Sequence, residues 1–294
     1  MLENTGKQVH HWPLCIICYN KWTIVRIKAN PNVSTIPLLQ THIQADFVRK
    51  VPVQHFPAAA FPSIHPVHWL HSHFAVGGWS PLQRLSGMLT AHMTRIAPHN
   101  GFTWHPHRGL EIYTWVLEGA VTHEDTTGGS GVIREGELQR MFAGDYIEHQ
   151  ELNLHNNPAR VIQIWFIADL EHRGLPPHYQ QLSKAALPSH RVGDATVYSL
   201  VGGDSPMGRH VTARLTATWV DAGGSTSLQA PQAEEDLFLY ITDGAGHVDL
   251  PDARTALGPY DVLLAQPDTP QVTISAQVAQ PLRFMSFYLK PFLR

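Results

Sequence analysis

The chain has 294 residues, 43% of them hydrophobic and 15% charged, with a net charge of −3. That length allows one large or two ordinary domains and enough apolar material for two packed cores. The near-neutral balance carries no electrostatic footprint for nucleic acid, no apolar run reaches the length of a membrane span, and no secretory signal shows its charged, apolar and small-residue regions in order.

The first 55 or so residues differ from the rest. Lys7, Lys21, Arg26, Lys28, Arg49 and Lys50 outweigh Glu3 and Asp46 there, which leaves the remainder more acidic than the whole. Cys15 and Cys18 form a C-x-x-C and are the only 2 cysteines. With His10 and His11 nearby they suggest zinc, but a structural site needs a second ligand pair at a defined spacing. A redox motif would need a βαβ context, which is absent. The segment therefore reads as an extension, with Leu14 to Ile27 as a candidate strand.

From His68 onward the pattern is one of short strands. His71-Ser72-His73 is a His-x-His, a weak sign in a chain with 20 histidines, where about one or two arise by chance. No carboxylate partner sits at matching spacing, so these two read as scaffold. His105-Pro106-His107 is a second such pair, and His149-Gln150-Glu151 has the same spacing. Residues i and i+2 of a strand share a face. Two such strands facing each other would aim three imidazoles and one carboxylate at one point, a ligand set for Fe, Mn, Co, Ni, Cu or Zn. Between the pairs lie Glu111 to Gly119, a β-branched and aromatic run, then Ala120 to Asp125, then a glycine-rich hairpin over Thr126 to Gly131. Gly136, Ala143 and Gly144 punctuate two further short strands. Evenly spaced short strands with glycine turns predict an all-β barrel or sandwich.

The run HPHRGLEIYTWVLEGAVTHEDTTGGSGVIREGELQRMFAGDYIEHQELN resembles the signature region of the pirin family of the cupin superfamily. His68-Trp69-Leu70, Gly87-Met88-Leu89, Val161 to Phe166 and Pro176 to Tyr179 fit its flanking strands and linker. The resemblance covers residues 60 to 190 well and the C-terminal third loosely. It implies a bicupin of two jelly-roll-type β-barrels, with an N-terminal metal barrel over 56–190, a C-terminal barrel over 191–294, and 1–55 outside the family pattern. It implies one divalent transition metal per chain, Fe(II) first, held by His105, His107, His149 and Glu151. Two departures stand out. Asp145 to Glu148 are bulkier than is usual in the family, and Gln150 stands where serine is frequent, so the pocket is expected to be narrowed.

Leu237 to Gly244 echoes Tyr113 to Gly119, and Leu257 to Leu264 echoes Ile133 to Met141, which predicts the second barrel from an internal repeat. Ala233 to Asp236 stands where the first copy has HPH, and no His-x-Glu follows Val262. This copy is expected to bind no metal. Of the other candidates, Gly109 is assigned to backbone geometry and His123 to an exposed hairpin position. Glu111 is either a fourth ligand or the partner of a ligand histidine. Val116, Met141, Phe142 and Trp165 are candidates for an apolar substrate wall.

The resemblance implies quercetin 2,3-dioxygenase activity on a flavonol and O2, with Glu151 as general base toward the flavonol hydroxyl. A different class is a metal-sensing regulator that binds a protein partner, as animal pirins do; no block of five or more basic residues marks a nuclear protein. A third is a cupin acting on another substrate. The expected form is a cytoplasmic monomer that binds neither membrane nor nucleic acid.

Overall fold

The computed structural model describes residues 53–290 except 173, 229–230, 232–234 and 267–270. The expectations for Cys15, Cys18 and the Leu14 to Ile27 strand lie outside the described residues. Among the described residues, twenty-two strands and three short 3₁₀ turns make up the regular structure. β1 (Val53–Phe56) leads into the N-terminal half, which holds β2 (Ser63–Val67), β3 (Leu70–Val76), β4 (Met88–Ile96), β5 (Asn100–His107) and β6 (Leu110–Glu118). It continues with β7 (Ala120–Asp125), β8 (Ser130–Arg134), β9 (Leu138–Phe142), β10 (Ile147–Asn153) and β11 (Ala159–Ile167), after which β12 (His178–Leu182) leads into the C-terminal half. The C-terminal half holds β13 (Ser189–Val192), β14 (Ala195–Val201), β15 (Ala213–Val220), β16 (Ser225–Ser227) and β17 (Asp236–Gly244). It ends with β18 (Gly246–Asp249), β19 (Arg254–Leu257), β20 (Val262–Ala265), β21 (Thr273–Ala276) and β22 (Leu282–Leu289).

The expected all-β architecture is what the chain adopts. In each half a seven-stranded sheet faces a four-stranded one. The N-terminal pair is β12-β9-β6-β11-β4-β3-β2 and β5-β10-β7-β8; the C-terminal pair is β1-β20-β17-β22-β15-β14-β13 and β16-β21-β18-β19. Strand order shows the internal repeat directly, with β17 and β20 taking the places of β6 and β9.

Each half borrows an edge. β1 precedes the N-terminal half yet pairs with β20, Val53 opposite Ala265. β12 precedes the C-terminal half yet pairs with β9, His178 opposite Phe142. The residues leading into each repeat thus add an outer strand to the large sheet of the other, which ties the two halves together.

The two large sheets pack back to back. Tyr113, Trp115, Ile162 and Ile164 from one side meet Leu215, Phe238, Tyr240 and Phe287 from the other in one buried cluster. This explains why β6 and β11 are apolar almost throughout rather than alternating. They are covered on one face by the other half and on the other by their own small sheet. The small-sheet strand β10, with one side to solvent, alternates strictly between buried and part-exposed positions.

An ion pair lies within this seam. Arg140 Nε donates to Glu111 Oε1, and both side chains are almost wholly buried. Tyr113 Oη donates to the same carboxylate at 2.8 Å, and Arg140 also donates to Nδ1 of His210, on the C-terminal half, at 3.0 Å. Removing one partner of such a pair strands a buried charge. Arg140→Met is therefore expected to lower stability by about 3–5 kcal/mol in urea titration. The double variant Glu111→Gln, Arg140→Met should recover much of that loss, and equal losses in the two proteins would show that the pair does not couple.

Candidate metal centre

The candidate residues converge on the inner face of the small N-terminal sheet. β5 and β10 run antiparallel with His105 directly opposite His149 and His107 opposite Ile147. A bulge on β5 then shifts the register, so that Glu151 faces Phe102. Gly101 permits the close approach there, because a Cβ on it would lie 2.3 Å from the Glu151 carbonyl oxygen. On the far side β10 pairs with β7, placing His149 beside Asp125 and Glu151 beside His123. The turn after His107 needs Gly109 at φ +62°, a left-handed value that suits glycine.

His105, His107 and His149 each offer a ring nitrogen within 4.8 Å of the others. Their ring centres lie 4.3 to 4.9 Å apart. The Nδ1–H of His105 donates to the Thr103 carbonyl at 2.7 Å. A carbonyl can only accept, so in the neutral ring Nε2 carries the lone pair. Nε2 of His107 and Nε2 of His149 are buried and have no hydrogen-bond partner. Leaving such an atom unsatisfied costs about 1–3 kcal/mol. Burial, helped by the nearby His105, pushes His107 down to about 3. Burial, with His105, His107 and His123 adding to it, holds His149 well below the usual histidine range. Both rings are therefore neutral at ordinary pH, as a metal ligand must be. Three ring nitrogens brought to one point, two of them buried without a partner, fit a transition-metal ion.

Glu151 is buried and clamped. Its Oε1 accepts from Gln139 Nε2 at 3.1 Å and Thr114 Oγ1 at 3.3 Å; its Oε2 accepts from Gln163 Nε2 at 2.6 Å. Gln163 is oriented in turn by Trp165 Nε1, which donates to its Oε1 at 2.9 Å. Glu151 falls in a second group, with His149 and His123. Beneath it is a cavity of only about 10 Å³, lined by His92, Thr94, Phe102, Thr114 and Gln163 among others. That is room for about one water.

Several expectations need correction. His123 is not exposed. It is fully buried, stacked on Tyr179 at 4.6 Å, with Nε2 at 3.0 Å from Asp125 Oδ2. Glu111 is on the opposite face of β6 from Thr114, engaged with Arg140, so it neither joins the histidines nor bonds one of the three. Of the proposed apolar wall, Trp165 meets His107 edge to face at 4.9 Å. Phe142 instead packs on His210 at 4.2 Å, and Val116 lies in an apolar cluster with Leu70, Ile96 and Val121. The bulky Tyr146 is exposed beneath Arg108, 4.4 Å from its guanidinium. Sequence reading missed His123, Asp125, Gln139 and Gln163. The i, i+2 rule that found the other pairs applies equally to His123 and Asp125.

Among the described residues of the C-terminal half no comparable cluster forms. A larger cavity of about 510 Å³ lies there, lined by hydroxyls of Thr216, Thr218, Thr226, Ser227 and Ser286 with His190 as its single histidine. The other candidate group, Asp169, Glu171 and His172, sits at the part-exposed turn Leu170–His172.

Comparison with known proteins follows the same lines. The Pirin family profile matches residues 79–166. A pirin-like protein of Solanum lycopersicum is 29% identical over 211 residues, 71% of this chain and 72% of that one. Residues 79–166 form a pirin-family domain. A Mycobacterium tuberculosis protein named provisionally as a quercetin 2,3-dioxygenase is 40% identical over 128 residues, 42% of this chain and 52% of that one. The match thus spans about half the length of that relative. The crystal structure of the bacterial pirin YhhW of Escherichia coli in complex with nickel(II) superposes with a TM-score of 0.67 at 23% identity, covering 81% of this chain and 99% of that one. At that identity the likeness speaks for the fold.

The buried polar interior has a pH consequence. His92 bonds Thr94 Oγ1 at 2.7 Å, and burial pushes it from 6.5 down to about 4. The unfolded chain takes up this proton below about 6.5 and the folded chain only near 4. The folded state therefore loses stability as pH falls through that window. His92 alone should account for a loss on the order of 2–3 kcal/mol between pH 7 and 4.5. Urea titrations at the two pH values should show a smaller loss for His92→Gln than for the parent, and equal losses would contradict the assignment.

Proposed function

We propose that this chain is a mononuclear metal-dependent dioxygenase that cleaves a flavonol such as quercetin with O2. The observation that carries the reading is the convergence of three imidazoles, two of them with buried and unpartnered Nε2 atoms, beside the clamped carboxylate of Glu151. His105, His107 and His149 would hold the ion, with Glu151 as the fourth ligand. Fe(II) is the first choice, and Mn, Co, Ni, Cu or Zn also suit such a donor set. When bound, the ion supplies Lewis acidity toward a substrate hydroxyl and, if redox-active, electron exchange with dioxygen. The names of bacterial relatives support the same substrate class.

The remaining work falls to the chain's own residues. Glu151 takes the proton from the flavonol hydroxyl, and Gln139 and Gln163 hold its carboxylate in place for that transfer. Trp165 covers His107 and keeps bulk water from that side. The cavity beneath Glu151 is too small for a three-ring substrate, and the flavonol would approach from the side of His105, the most exposed of the three histidines. Tyr146 and Arg108 then become rim residues that narrow the approach. The reading takes the protein to be a cytoplasmic monomer, with a small aromatic substrate and O2 as its partners and no nucleic acid.

Two variants test this with metal content measured on each. His107→Ala should lose ion and turnover together. Glu151→Gln should keep most of its ion yet lose about a hundredfold to ten-thousandfold in quercetin turnover per ion, the usual contribution of a general base. The fold should tolerate that change, because Gln139 Oε1 is buried without a partner and its amide can turn to accept from the new side chain. Parent-like turnover per ion in Glu151→Gln would remove Glu151 as the base. A metal-loaded parent inert toward flavonols would favour the regulator that binds a protein partner.

A further inference from the structure

We propose that Asp125 and His123 form a hydrogen-bond relay that sets the tautomer of His149 and so turns its Nε2 lone pair toward the ion. The proposal rests on the reading of His149 as a metal ligand. Three side chains lie in a line on neighbouring strands: Asp125 Oδ2 is 3.0 Å from His123 Nε2, and His123 Nδ1 is 3.5 Å from His149 Nδ1. His123 and His149 are buried to 99% or more, and Asp125 is 7% exposed.

The direction of every bond follows from the first. An ionised carboxylate can only accept, so His123 Nε2 carries the hydrogen. A neutral His123 then has a bare Nδ1, which can only accept. His149 Nδ1 must therefore be the donor, and its Nε2 is left bare. That is the buried Nε2 with no other partner. His105 reaches the same state by a different route, through its bond to the Thr103 carbonyl. Second-shell acceptors of this kind fix ring orientation and tautomer in metal sites generally. Here the carboxylate acts through an intervening imidazole, which Tyr179 holds by stacking at an interplanar angle of 12°. Both His123 and Asp125 are positioning residues and touch neither ion nor substrate.

The surroundings of Asp125 make the relay testable with one isosteric change. Its Oδ1 accepts from Thr127 N at 2.8 Å, Thr127 Oγ1 at 2.6 Å and Gly129 N at 3.0 Å. In Asp125→Asn the amide oxygen must stay on those donors, which puts the NH2 group against His123 Nε2. His123 would then have to accept at Nε2 and carry its hydrogen on Nδ1. His149 would accept at Nδ1 and carry its hydrogen on Nε2, pointing at the metal position.

The experiment has two readouts. Long-range 15N–1H correlation spectra of the metal-free protein assign the protonated nitrogen of each ring. Competition with a chelator gives the affinity for nickel(II) alone. The parent should show His123 protonated on Nε2 and His149 on Nδ1. Asp125→Asn should reverse both and bind nickel(II) about 10- to 100-fold more weakly. Thr127→Val, which removes one donor without changing the carboxylate, should keep the parent tautomers. A parent His149 protonated on Nε2, a doubly protonated parent His123, or unchanged tautomers in Asp125→Asn would each overturn the relay. The parent spectrum needs no variant, so the relay stays falsifiable even if Asp125→Asn does not fold. Failure of the metal reading is separate: a parent with the expected tautomers and no nickel(II) uptake confirms the proton order and overturns the ligand assignment.

Discussion

The N-terminal sandwich buries a carboxylate and several imidazoles between two sheets, and a buried polar group without a partner is expensive. Most of what surrounds the site answers that cost. Gln139, Gln163 and Thr114, on the facing large sheet, all donate to Glu151. Asp125 takes the outer nitrogen of His123. Nε2 of His107 and Nε2 of His149 stay without a partner where they meet beside His105, and that point is where a ligand fits.

The second half of the molecule contributes rigidity. The large N-terminal sheet carries the glutamines and Trp165 on one face and packs on the C-terminal sheet with the other. Its strands β6 and β11 are fixed from both sides, so the donors to Glu151 stand on a stiff platform. The buried Arg140–Glu111 pair and the contact to His210 fasten the two halves at the same level. The exchanged edge strands β1 and β12 extend the connection. β1 also shows that ordered chain begins at least as early as Val53, hydrogen-bonded to the C-terminal sheet.

Much of this was legible in the residues. The i, i+2 spacing of His105 with His107 and of His149 with Glu151 is enough to put each pair on one face of a strand, and the echo of Tyr113 to Gly119 in Leu237 to Gly244 is enough to predict two copies of one fold. What escaped was long-range. That Glu111 turns away from the histidines depends on Arg140 and on His210, 99 residues further along the chain than Glu111. His123 looked like a hairpin residue because it is close to a turn in sequence, while its burial depends on Tyr179 crossing over from β12. The glutamines that hold Glu151 carry no motif, since any inward-facing position on β9 or β11 could have been apolar.

The most direct measurement is anomalous X-ray scattering at metal absorption edges, from crystals of the full chain purified without added metal. The result expected is a single strong peak about 2.1 Å from the three histidine Nε2 atoms, next to Glu151, with none inside the C-terminal sandwich. A metal peak only at Asp169, Glu171 and His172 or at Cys15 and Cys18, or no peak between His105, His107 and His149 in metal-soaked crystals, would contradict it.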